Sequence, residues 1–143
     1  MKQKVLAYVV RRVAGGWQLL VFEHARDAEA GVQVPAGTVE ADEPIEAALW
    51  RELFEESGLT NKQVALVAKL AEAPELEWDQ VRHVYLMRAA ADLPETWTTV
   101  VDGGGEDHEM RFEYRWVDIG PGLVLAGGQQ RWLPDAFEPA THK

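Results

Sequence analysis

Gly37-Thr-Val-Glu-Ala-Asp-Glu43-Pro-Ile-Glu-Ala-Ala-Leu-Trp-Arg51-Glu-Leu-Phe-Glu-Glu56-Ser-Gly-Leu59 is the stretch whose reading decides the fold. Pro44 suits the first turn of a helix, where its missing N–H has no bond to make. Asp42 and Glu43 suit a cap and the positive end of the helix dipole. Gly58 suits the stop after the last turn. The segment therefore predicts a helix from about Pro44 to Ser57. At about 100° per residue, Ile45, Ala48 and Leu49 form an apolar stripe. Glu52 and Glu56 continue that arc and Glu55 flanks it. A purely structural amphipathic helix keeps its carboxylates on the far side.

A solvated acidic face is the plain alternative for these glutamates. Two physical points weigh against it. An unpaired buried carboxylate is costly, and Glu52 and Glu56 are a like-charge pair one helical turn apart, which destabilises an isolated helix. A hard divalent cation answers both objections. Mg²⁺ takes one or two carboxylates and leaves its other positions to water and substrate phosphate. The arrangement points to chemistry on phosphates.

Gly37, five residues, Glu43, seven residues, then Arg51-Glu52-Leu53-Phe54-Glu55-Glu56-Ser57-Gly58-Leu59 resembles a complete Nudix box, with every specified position met. The order of elements around it extends the resemblance to most of the chain. The resemblance implies an α/β fold, a Nudix-like α/β/α sandwich with a mixed β-sheet. It implies Gly37, Glu52, Glu55 and Glu56 as ligands of Mg²⁺ or Mn²⁺, Gly37 through its backbone carbonyl. Glu52, Glu55 and Arg51 would take the catalytic part, and Glu43 and Arg51 would pair to hold the loop against the helix. The reaction implied is attack of a metal-activated water on phosphorus, cleaving a nucleoside diphosphate linked to another group. The water-activating base would be Glu52 or a carboxylate on a late loop. Nucleoside triphosphates, nucleotide sugars and other diphosphates all stay open as substrates. A catalytically silent ligand-sensing domain is the alternative, although such domains usually carry a broken box. Family members often pair as homodimers, which the resemblance does not decide here.

At 143 residues the chain reads as one domain, 1–143, with room for a single core. It has no cysteine, which excludes disulfides, zinc–thiolate sites and a thiol nucleophile. No apolar run reaches the length of a membrane span, and Met1 to Val5 shows no signal peptide, so a cytoplasmic location is expected. A net charge of −10 argues against general nucleic-acid binding. It also requires metal ions and local cations to reverse the field wherever a polyanionic substrate binds.

Along the chain, Lys4–Arg12 and Trp17–Glu23 read as strands joined through Gly15-Gly16. Val32–Pro35 reads as a short strand entering the box. Ala65–Leu70, Gln80–Ala89, Trp97–Val101 and Arg111–Ile119 read as later strands, with an acidic turn at 74–79. Residues 102–108, with three consecutive glycines, read as a flexible loop, and Gln129–Phe137 as a C-terminal helix. Glu106, Asp107 and Glu109 border the glycine loop and are candidates for a base or an extra ligand. His24 and Arg26 are candidate phosphate contacts, and Arg82 and His83 sit on a strand placed to line a cleft. Trp78 and Trp97 are the tryptophans best placed to stack on a base. Trp50 and Phe54 should pack behind the helix.

Overall fold

The computed structural model describes residues 1–90, 92–102 and 109–134. Strands β1 (Lys2–Val13) and β2 (Gly16–His24) form an antiparallel hairpin. A short strand β3 (Ala36–Thr38) leads into helix α1 (Ile45–Ser57). Strands β4 (Val64–Glu75), β5 (Gln80–Ala89), β6 (Thr96–Asp102) and β7 (Glu109–Asp118) follow. The sheet runs β4-β5-β1-β2-β7-β6, and β3 pairs with β1. It is mixed: β1 and β5 are parallel, and the other pairings are antiparallel.

Central β1 is buried from Val5 through Val10. An unbroken apolar run is what a strand covered on both faces requires. One face packs Val5, Val9, Leu20, Tyr85 and Met87 against Leu49 and Leu53 of α1. The other packs Leu6, Tyr8, Leu19 and Val21 against Leu125 and Leu133 from the C-terminal segment. Fully burying leucines such as Leu49 and Leu53 contributes roughly 1.5–3 kcal/mol each.

Four expectations are corrected. The strand before the box is Ala36–Thr38, not Val32–Pro35. Gln33 makes only an isolated bridge to Phe22, and Ala7 N–H then donates to the Pro35 carbonyl. The segment thus crosses from β2 to β1 and wedges the two apart. Pro35 has no N–H with which to pair in a longer ladder. The acidic turn is shorter than expected: β4 continues through Pro74 to Glu75, and only Leu76–Trp78 is a 3₁₀ turn. Proline is tolerated there because β4 is an edge strand. The C-terminal segment is a 3₁₀ stretch over Ala126–Trp132, where Gly127 and Gly128 take φ of 62° and 69° and break the helical path; residues 135–143 lie outside the described residues. Lastly, Pro44 is itself the N-cap and makes no side-chain cap bond. Glu43 is occupied elsewhere, as described next.

Candidate active site

The wedge brings the Ala36-Gly37 peptide, on β3, against the inner face of α1. A Cβ placed on Gly37 would lie 2.0 Å from Cδ and 2.2 Å from Oε2 of Glu52, so the Glu52 carboxylate rests on bare glycine backbone. One turn on, Ala36 N–H donates to Glu56 Oε1 at 3.3 Å. Burial pushes the Glu56 carboxyl up to about 9, and the hydrogen bond and charge of Glu52 push the same way. Burial and the neighbouring Glu52 thus both favour the protonated form of Glu56.

Arg51 organises the surroundings. Its Nε and Nη2 bond Glu43 at 2.8 and 2.9 Å, its Nη1 bonds Glu52 and Glu55 at 2.9 Å, and Nη2 also reaches the Thr38 carbonyl at 3.0 Å. This bidentate fork ties the loop to the helix, which is the pairing expected of Glu43 and Arg51. Glu55 is half exposed and turned toward Arg51. The Arg51 guanidinium, helped by Glu40 N–H, holds the Glu43 carboxyl down at about 2. A carboxylate lowered on folding contributes stability above its unfolded value, near 4.5, and loses it as pH falls toward 2. Glu43→Gln is therefore expected to lower Tm at neutral pH and to flatten its fall between pH 4.5 and 2. Thermal melts across that range check it. An unchanged acid limb would remove Glu43 from this role.

Among the described residues no three His, Asp or Glu side chains form a ready-made cage. Glu106 and Asp107 lie outside the described residues, and Glu109 opens β7 opposite Asp102. His24 packs edge-on against Phe112, with its Nδ1 buried and unpartnered among the described residues, and Arg26 is exposed on the turn beyond. Trp97 is structural: its indole N–H donates to the Ser57 carbonyl at 3.0 Å and its ring stacks on Tyr114. Phe54 is exposed, contrary to expectation, while Trp50 packs partly against the core.

The Tyr114 hydroxyl is buried without a partner among the described residues. Leaving such a group unsatisfied costs about 1–3 kcal/mol, so Tyr114→Phe should raise Tm. A clear fall would mean that the hydroxyl is bonded after all.

A groove of about 400 Å³ opens beside Gly37, lined among others by Lys4, Trp78, Gln80 and Arg82. Lys4 and Arg82 are partners in the β1–β5 ladder. Burial lowers the Lys4 pKa, and the neighbouring charges of Lys2 and Arg82 lower it further, against the pull of Glu52. A local cationic patch thus borders the acidic pair in a strongly acidic chain. Arg82 is among the residues expected to line a cleft, whereas Lys4 is not, since only the strand register brings the two together. His83 turns away and bonds Gln3 and Lys69 at 2.7 and 2.9 Å.

Residues 1–129 match the family model described as the NUDIX domain. The chain belongs to the Nudix family. Its structure is similar to other solved Nudix folds. A C. elegans Ap4A hydrolase in a binary complex is 12% identical, with 100% of each chain covered and a TM-score of 0.69. The NUDIX domain of Shewanella oneidensis NrtR, complexed with ADP ribose, is 12% identical over 96% of this chain and 87% of that one, with a TM-score of 0.65. The M. smegmatis Nudix hydrolase RenU is 18% identical over 96% and 86%, with a TM-score of 0.63. At such identities the likeness speaks for the Nudix fold, a mixed sheet with helices. No curated protein matches the chain. Among the described residues no helix is long and apolar enough to cross a membrane.

Proposed function

We propose that this Nudix protein is a divalent-metal-dependent pyrophosphohydrolase, cleaving a nucleoside diphosphate linked to another group such as phosphate or a sugar. The observation that carries this reading is the desolvated Glu52–Glu56 pair seated on the Ala36-Gly37 peptide. Arg51 meets the Glu52 carboxylate, but Glu56 has no cationic partner among the described residues, and a hard cation would supply one to both carboxylates at once. Glu52 and Glu56 would hold Mg²⁺ or Mn²⁺, with the Gly37 carbonyl and Glu55 completing the protein's share. When bound, the metal supplies a water of lowered pKa and neutralises charge on the leaving phosphate.

The chain's own part is orientation and proton transfer. Arg51 fixes the rotamers of Glu52 and Glu55 while Glu43 fixes Arg51. A water oxygen attacks phosphorus, the bridging P–O bond breaks, and the bond pair leaves with the departing phosphate. The water proton would pass to Glu52 or to one of the carboxylates of Glu106, Asp107 and Glu109.

The test is a panel of nucleotides, nucleotide sugars, dinucleoside polyphosphates and coenzyme A with Mg²⁺ and Mn²⁺, reading phosphate after phosphatase coupling. Metal-dependent release from at least one class supports the reading. Binding without turnover across the whole panel would instead mark a ligand-sensing domain.

A further inference from the structure

Lys69 and Glu72 stand three apart on β4, so in a regular strand they would point to opposite faces of the sheet. The ladder with β5 slips between Lys69 and Ala71, and Leu70 is the extra residue. Lys69 therefore lies opposite Tyr85, and Glu72 lies opposite His83. A bulge re-aims the side chains that follow it. Leu70 packs on the face of Leu6 and Val84. Lys69, Glu72 and His83 meet on the face of Tyr85, the one that α1 covers.

Their contacts place a proton. His83 is buried, and its two ring nitrogens have different partners. Nδ1 lies 2.9 Å from Lys69 Nζ, and Nε2 lies 2.7 Å from Gln3 Oε1 on β1. An ammonium only donates, and an amide oxygen only accepts. Nδ1 is therefore the bare nitrogen, and Nε2 carries the hydrogen. Lys69 Nζ also donates to Glu72 Oε1 at 2.8 Å, and that same oxygen stands 3.4 Å from His83 Nδ1. The ammonium thus sits between an imidazole lone pair and a carboxylate that nearly touch. The other titratable neighbours are Tyr85, whose ring centre is 5.6 Å from Lys69 Nζ, and Glu46 on the first turn of α1, whose charge reaches Tyr85.

We infer that Lys69, Glu72 and His83 form a proton-driven exchange of partners on the edge strand. A proton arriving at Nδ1 takes the lone pair that Lys69 uses. The ammonium swings out to solvent, and the new Nδ1–H donates to Glu72 Oε1. One hydrogen bond to a neutral ring is traded for one between charged groups, and the Nε2–H bond to Gln3 is kept. Burial and the Lys69 charge make this proton harder to add than in an exposed histidine, against the pull of Glu72. The folded chain therefore takes it up below 6.5, the ordinary histidine value. The unfolded chain binds it first, so stability falls as pH drops through 6.5 toward the lower folded midpoint. The device lies off the box and holds whether or not the chain hydrolyses a diphosphate.

Nitrogen-15 NMR of the imidazole rings tests this, with His83→Gln locating the signal among the four histidines. In alkaline buffer the His83 ring should carry hydrogen on Nε2 alone, and its titration midpoint should lie below 6.5. Lys69→Met should move that midpoint up, and Glu72→Gln should move it down. Thermal melts give a second readout: the Tm lost by wild type below pH 6.5 should shrink in Lys69→Met and grow in Glu72→Gln. Hydrogen on Nδ1 in alkaline buffer, or a midpoint that neither variant moves, would overturn the proposal. A midpoint that Lys69→Met raises but Glu72→Gln leaves in place would also overturn it, because Glu72 would then not be the proton's new partner.

Discussion

Glu56→Gln is expected to lower metal-dependent turnover by about three orders of magnitude or more while the metal-free fold persists. Charge stabilisation by a bound cation is worth several kcal/mol, and each 1.36 kcal/mol is about tenfold in rate. Glutamine keeps the size of the protonated acid and can still accept from Ala36 N–H, but it brings no charge to a cation. The same substitution has a signature independent of any substrate. The Glu56 carboxyl is raised on folding from 4.5 to about 9, so between those values the folded protein keeps a proton that the unfolded chain has released. Metal-free wild type therefore loses stability as pH rises through that window. Glu56→Gln has no such group and should show a flatter Tm profile in chelator. Mg²⁺ should restore the wild type at high pH and do little for the variant. Wild-type turnover in Glu56→Gln, or an identical Tm slope, would remove Glu56 from the metal site.

Gly37→Ala should cost activity about a hundredfold while Tm moves little. The new methyl would occupy the place of the Glu52 carboxylate, whose Cδ lies 2.0 Å from where that methyl carbon would sit. The side chain in the way is the far end of a flexible glutamate, so it swings aside without disturbing the sheet. A reacting group displaced by about 1 Å can lose 10²-fold in rate. Activity measured beside a melting curve decides the matter. A variant that turns over normally would show that Glu52 does not need that glycine surface, and one that unfolds would show that moving Glu52 alone does not accommodate the methyl.

Local pattern made α1 legible in the sequence, because cap, stop and periodic stripe all lie within one short stretch. β5 was legible at both ends for a similar reason: it is bounded by the Trp78-Asp79 turn and by the alanines after Arg88. β4 was underestimated because its bulges at Leu66–Ala68 and Lys69–Ala71 break the two-residue alternation, and Pro74 looks like an end. The strand before the box was displaced because its partner changes midway, from Phe22 to β1, and no local signal records a change of partner. Within the candidate site, the inward arc of Glu52 and Glu56 was readable from helical spacing, and the part given to Arg51 came from the resemblance to the Nudix box. The Lys4–Arg82 adjacency was not readable, since it depends on parallel register between strands far apart in sequence. Trp97 shows the converse error: an aromatic residue suited to a ligand is used instead to bond a helix-end carbonyl.

The forked pairing of β1 has a consequence for the order in which the molecule comes together. Val5 is partnered on one side by Gly37 and on the other by His83. During synthesis the whole box is complete once Leu59 has been added, yet the strand that seats its glycine still lacks its parallel neighbour. Contacts of such long sequence separation form late and slowly. The box helix can thus meet β1 and β3 as soon as it is made, while the central strand gains its parallel neighbour only after β5 is added.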